Sequence, residues 1–259
     1  MASIIIKTPQ QIEGIRKSSI LAAQTLDFIE EFVRPGVSTA FLDRKIEEFI
    51  QENNAIPATK GYNGFPASSC ISPNEIVCHG IPSEKTILRE GDIINIDVTT
   101  ILNGYFGDTS RMYQVGEISP LATKLVDAAR HSLKLGIQQV KPGNYFGNIG
   151  FVINRYIRSM GFSVVYQFCG HGVGIQFHEE PQVDHSANKN SGPQMKPGMI
   201  FTIEPMINQG HPKTVVDKKD GWTARTIDNR LSAQFEHTVL VTPTGCDVLT
   251  DIHGEFPIT

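Results

Sequence analysis

The stretch Gly91–Met112, GDIINIDVTTILNGYFGDTSRM, decides how this chain is read. Ile93, Ile94, Ile96 and Val98 form the apolar run of a buried strand, and Asn103-Gly104 supplies a turn signal after it. Asp97 is set inside that run and Asp108 lies just past the turn. A lone buried carboxylate is costly and usually neutralises by a shifted pKa. Side chains alternate faces along a strand. In an unbulged hairpin with an even loop, an odd and an even position share a face, so Asp97 and Asp108 should lie together. A four-residue loop over 101–104 would make them direct partners. Like charges placed opposite one another repel, so a positive group should lie between them. One aspartate in a strand is most often solvated or salt-bridged, and Arg111 is close enough in sequence to pair with one of these. Two on one face, with isoleucine flanks, favour a metal site.

Working outward, the pattern recurs. FVRPGVS at 32–38 resembles QVKPGNY at 139–145, and EGDIINIDV at 90–98 resembles PGMIFTIEP at 197–205. Val33 and Val140 are 107 residues apart, as are Asp97 and Glu204. The shared offset favours a duplicated unit, with halves of about 1–115 and 116–259 in a single domain. Each half reads helix, proline-glycine turn, helix, then a strand bearing a carboxylate. A second carboxylate follows in each: Asp108, and Glu236 in AQFEHTVLV. Caps mark the helices. Thr8-Pro9 with Gln11 opens the first, whose apolar face runs to Val33 before Pro35-Gly36; Ser38 opens the second and Ser119-Pro120 the third. Asn144 is the expected cap of the fourth, which should stop at Gly161. Two such halves facing each other bring four carboxylates to one centre.

Composition sets the bounds. The chain has 259 residues, 40% hydrophobic and 19% charged, enough for a large packed core. A net charge of −4 and the lack of any Lys/Arg run argue against nucleic-acid binding. Apolar runs are too short to span a bilayer, and MASIIIKTPQQ does not read as a secretory signal. Cys70, Cys78, Cys169 and Cys246 show no zinc-finger spacing and are expected to be reduced thiols of a cytoplasmic protein.

FCGHGVGIQFHEEP adds His171 and His178, and VCHGIP adds His79. Any one of these alone is more often a hydrogen-bonded core or surface histidine. An odd spacing puts His171 and His178 on opposite faces of a straight strand, but Gly172 and Gly174 permit a bend that turns both inward. Carboxylates with few imidazoles suit Mn²⁺, Fe²⁺ or Co²⁺. Two divalent ions carry +4, matching Asp97, Asp108, Glu204 and Glu236, and a pair of ions roughly 3.5–4 Å apart is the usual hydrolytic arrangement. HEEPQ is not HExxH, and no GxSxG elbow or P-loop occurs.

Five blocks in order, GYNGFPASSCISPNEIVCHGIP, GDIINIDVTTILNGYFGDTSRM, FCGHGVGIQFHEEP, MKPGMIFTIEPM and LSAQFEHTVLVT, make the chain resemble the type I methionine aminopeptidases of bacterial kind, over essentially its whole length. The resemblance implies the pita-bread fold, an α/β fold with a curved antiparallel sheet and pseudo-twofold halves. It implies removal of the initiator methionine from nascent chains when the second residue is small, and two divalent ions held by Asp97, Asp108, His171, Glu204 and Glu236. Asp108 and Glu236 are the expected bridges. Glu204 is the expected proton shuttle, His178 the donor to the scissile carbonyl and His79 a contact to the scissile amide. Tyr62, Phe65, Cys70, Phe177 and Trp222 are the expected methionine pocket, though each alone reads equally well as core. Relatives often carry Cys where Thr59 stands and Tyr where Phe65 stands, a departure that leaves the ligands untouched. Asn74 and Ser232 match positions that hold a monovalent cation.

A monomer and a transient ribosome contact are further expectations of the resemblance. No membrane or nucleic-acid partner is expected. The start Met1-Ala2-Ser3 fits the small-second-residue rule, so a mature chain beginning at Ala2 is expected. The absence of an N-terminal extension and of a helical insertion between Glu204 and Glu236 favours type I. The rivals are a proline-directed aminopeptidase, which usually carries an additional N-terminal domain, and a non-catalytic protein on the same scaffold, which would lack one or more ligands.

Overall fold

The computed structural model describes residues 3–256, so the Met1-Ala2 start lies outside the described residues. Four α-helices occur among them: α1 (Pro9–Glu30), α2 (Thr39–Glu52), α3 (Pro120–Ile137) and α4 (Gly147–Ser159). Thr8 and Gln11 close a reciprocal capping box on α1, while Ser38 and Ser119 accept from the third backbone N–H of α2 and α3. Helix α1 ends at Glu30, short of Val33, because the amides of Phe32 and Val33 turn back to Ile29 and Glu30. Asn144 does not cap α4. Its Oδ1 instead accepts from Asn148 and its amide reaches the Gln139 carbonyl, so it braces the loop before a helix that starts without a side-chain cap. Gly161, at φ 83°, follows the end of α4 in the left-handed conformation favoured just past a helix.

Strand Ile93–Leu102 pairs antiparallel with Tyr105–Gln114, and the segments Ile56–Pro57 and Cys70–Pro73 flank the first of these. Strands Ile200–Ile203 and His237–Val241 form the corresponding pair in the second half, within a five-stranded sheet that includes Gly170–Gly172 and Glu179–Val183. Helices α1 and α2 bury Leu26, Ile29, Leu42, Ile46 and Ile50 against Ile94, Ile96 and Val98. Helices α3 and α4 bury Leu125, Leu133, Ile149 and Ile153 against Phe201, Ile203 and Val239. Both sets of strands thus carry apolar residues toward helices. Removing these side chains from water is the main stabilising term, about 25 cal/mol per Å² of apolar surface.

The first hairpin turns on two residues, not four. Leu102 pairs with Tyr105, and Asn103 and Gly104 sit at φ 53° and 81°, as a tight primed turn requires. Asp97 is therefore opposite Ser110, and Asp108 opposite Thr99. The aspartates share a face, as parity demands, but meet diagonally. The stagger relieves part of the like-charge contact that direct pairing would impose.

Candidate metal centre and substrate cavity

The two strand pairs are stitched together where their carboxylates meet. The Glu236 amide donates to the Ser110 carbonyl at 3.0 Å, and Thr109 Oγ1 donates to the Glu236 carbonyl at 2.7 Å. Thr238 Oγ1 donates to the Asp108 carbonyl at 2.7 Å, and Asn95 Nδ2 donates to the Gln234 carbonyl at 2.9 Å. These bonds cross from one half to the other and fix Asp108 and Glu236 relative to each other. Arg111 takes no part; it lies on the other face of its strand and pairs with Asp27 of α1 at 2.7 Å.

Asp108, His171 and Glu236 each present a ligand atom within 4.8 Å of the others. Glu204 adjoins them through His171, whose Nε2 lies 3.6 Å from both Asp108 Oδ2 and Glu204 Oε1. Asp97 lines the same cavity. The histidine tautomer is readable. Nδ1 faces the Gly172 carbonyl at 3.0 Å, an atom that only accepts, so Nδ1 carries the hydrogen and Nε2 keeps a lone pair. That lone pair is aimed at carboxylate oxygens beyond hydrogen-bond reach. Acceptors converging on one point call for a cation, and an imidazole set by a backbone carbonyl is the usual form of a metal-ligating histidine.

Electrostatics say the same. Burial pushes Asp97, Glu204 and Glu236 well above the usual carboxylate range, with neighbouring carboxylates adding to the rise. Burial takes Asp108 to about 7, opposed by the bond from Thr99. Burial lowers His171 to about 3, with His178 contributing. Without a positive charge the centre therefore favours protonated acids and a neutral imidazole.

The hydroxyl and amide partners of the acids were not singled out from the sequence. Thr99 Oγ1 donates to Asp108 Oδ1 at 2.7 Å, Thr202 Oγ1 to Glu204 Oε1 at 2.7 Å, and Gln234 Nε2 to Glu204 Oε2 at 3.3 Å. His185, lowered to about 3 by burial, accepts the Glu204 amide at 3.0 Å. A signal existed for two of these partners. Thr99 lies two residues from Asp97 and Thr202 two from Glu204, the spacing that shares a strand face.

The centre opens into a cavity of about 800 Å³. His178 reaches it because a bulge after His171 and Gly174 at φ 130° bend the chain, leaving the two imidazole centroids 4.1 Å apart. Tyr62 stacks on His178 at 5.1 Å and meets Phe177 at 4.7 Å. Phe65 meets Trp222 edge-on at 5.3 Å, and His79 stands edge-on to Trp222 at 6.0 Å. Cys70 pairs with Asp97 across the strands and keeps its proton, since burial pushes its thiol up. Thr59 lines the cavity with its hydroxyl tied to the Ser68 carbonyl at 2.6 Å. His79 adopts φ 55°, a left-handed conformation uncommon outside glycine; burial lowers its pKa to about 4. Away from the cavity, the Ser232 amide donates to the Asn74 carbonyl at 2.8 Å, so these two residues also come together.

Residues 13–243 match the model of metallopeptidase family M24. The chain is 49% identical to the methionine aminopeptidase of Escherichia coli (strain K12) over 249 residues, covering 96% of this chain and 94% of that one. It is similar to the crystal structure of methionine aminopeptidase from Rickettsia prowazekii, with TM-score 0.94, 46% identity, and 96% of this chain and 100% of that chain covered. Prolidase from Pyrococcus furiosus shares the fold, at TM-score 0.77 and 24% identity, with 96% of this chain matched to 66% of that one. The chain thus belongs to metallopeptidase family M24, on its methionine aminopeptidase branch, and carries that family's pita-bread fold.

Proposed function

We propose that this protein removes the N-terminal methionine from peptides and nascent chains whose second residue is small. The observation that carries the reading is the His171 lone pair converging with Asp108, Glu204 and Glu236 in an aromatic cavity. Two divalent ions fit this donor set, since Asp97, Asp108, Glu204 and Glu236 supply four negative charges when ionised and His171 a neutral nitrogen. Mn²⁺, Fe²⁺ and Co²⁺ suit those oxygen and imidazole donors. Such ions supply Lewis acidity and lower the pKa of water at neutral pH.

The chain's own groups do the rest. Tyr62, Phe65, Cys70, Phe177 and Trp222 receive the methionine side chain, whose burial is worth roughly 1.5–3 kcal/mol. His178 donates to the scissile carbonyl as negative charge develops there. His79 contacts the scissile amide and crowds the space beyond it, which selects small second residues. Glu204 takes a proton from the attacking water and passes it to the leaving amine. The pairing of Asn74 with Ser232 supports a monovalent cation beside them, where the Asn74 carbonyl offers oxygen. The whole chain acts as one catalytic domain of two related halves, a cytoplasmic monomer that meets its substrates at or near the ribosome.

Chelator-stripped protein, reloaded with Co²⁺ or Mn²⁺, should hydrolyse Met-Ala-Ser but neither Met-Leu-Ser nor Ala-Pro-Ser. Turnover that survives chelation, or equal kcat/KM for Met-Ala-Ser and Met-Leu-Ser, overturns the reading.

A further inference from the structure

Lys7 and Glu179 form an ion pair whose side chains are 0% and 2% exposed. An isolated buried lysine is unfavourable, and burial lowers this one's pKa against the pull of Glu179. Glu179 has further duties. Its Oε1 accepts the amides of Ile175 and Gln176 at 2.7 and 2.8 Å, while Oε2 takes the lysine. One carboxylate thus closes the turn over 175–179, and that turn carries Phe177 and His178. Lys7 is itself fixed. Its amide donates to the Gly198 carbonyl at 2.9 Å, Ile4 packs on the core of the second half, and Thr8 caps α1 immediately after it.

We propose that Lys7 is a positioning residue for His178: the amino-terminal arm, through Glu179, clamps the turn that holds His178 over the reacting carbonyl. The inference rests on the proposed role of His178 in hydrolysis. A buried ion pair often adds little net stability, but it holds one geometry, because the lone charge is left uncompensated when either partner moves. Here the geometry held belongs to the residue next to His178 in the chain. An oxyanion donor acts over a few tenths of an ångström, so a loosened turn lowers turnover without removing any reacting group.

The test uses Lys7→Met, which keeps the stem and removes the charge. Amide exchange on the metal-free protein is expected to speed up about tenfold or more at Ile175 and Gln176, with α3 and α4 unchanged. With metal restored, kcat on Met-Ala-Ser is expected to fall about tenfold with metal affinity unaltered. In a His178→Ala background the same substitution is expected to cost no further activity, which a general loss of structure would not reproduce. Unchanged exchange at Ile175 and Gln176, or an equal fall in kcat in both backgrounds, overturns the proposal. Should Lys7→Met not fold, Glu179→Gln, which retains an acceptor for the two turn amides, is carried through the same measurements with the same criteria. If the parent protein turned over no methionyl peptide, the proposed function would fall, and the exchange measurement would still decide whether the clamp exists.

Discussion

Stripping the metal should give the protein a stability that falls as pH rises above about 6.5, and reloading should abolish the fall. Asp97, Asp108, Glu204 and Glu236 all have folded pKa values raised by burial. A raised carboxyl stabilises the fold fully below its unfolded pKa and loses that contribution as pH rises through its folded pKa. For Asp108 the change from 3.8 to about 7 amounts to roughly 4 kcal/mol at ~1.36 kcal/mol per pH unit, all of it spent by about pH 7. Histidines oppose this at lower pH. His79, His171, His185 and His237 are depressed to about 4, 3, 3 and 4, so they add stability with rising pH only up to their unfolded value of 6.5. Above 6.5 the opposition fades, while Asp97, Glu204 and Glu236, pushed well above the usual carboxylate range by burial, lose their contribution as pH rises through their folded values. A group protonated in the fold and ionised in the unfolded chain costs ~1.4 kcal/mol per pH unit while both conditions hold. Urea denaturation of chelator-treated protein at pH 7 and pH 8 should show lower stability at pH 8, by on the order of 1 kcal/mol, with no such fall in the metal-loaded form. Equal or greater stability of the metal-free protein at pH 8 would refute the argument, because it would mean the carboxyls are already ionised in the fold.

Glu204→Gln should abolish measurable turnover while leaving the circular dichroism spectrum intact, since it removes a charge and the proposed proton carrier together; near-normal kcat would exclude both roles. His178→Ala should lower kcat by about 10²–10³-fold with little change in metal affinity measured by calorimetry. Gly107→Ala should destabilise the protein by about 3 kcal/mol in urea denaturation, because a methyl group there presses into the backbone of Ser18 and Ser19 in α1; an unchanged midpoint would show that α1 yields easily.

Much of this was legible because local chemistry and the global fold agree. Thr8, Ser38 and Ser119 announced helices by hydroxyl caps, and the apolar strand around Asp97 announced a hairpin. Asn144 misled because an asparagine also braces loops, and its role is decided by Asn148, itself held across the fold by Asn190. The loop length stayed open because parity fixes a face but not a distance, and Leu102 joins the strand despite its place beside the turn. The acids themselves could be picked out by their burial in apolar runs. Their supporting groups Gln234 and His185 could not, since a buried amide and a buried imidazole look like ordinary core polar residues until the partner across the fold is known.

The two-residue turn at Asn103-Gly104 also constrains how this hairpin can change over generations. With the two-residue turn kept, deleting or inserting a single codon beside it would shift the pairing by one and send Asp108 to the opposite side of the sheet, away from His171. A change of two would keep it on the proper side and move its register relative to Asp97. The turn therefore acts as a length gauge, held in count as well as in the two residues that take positive φ.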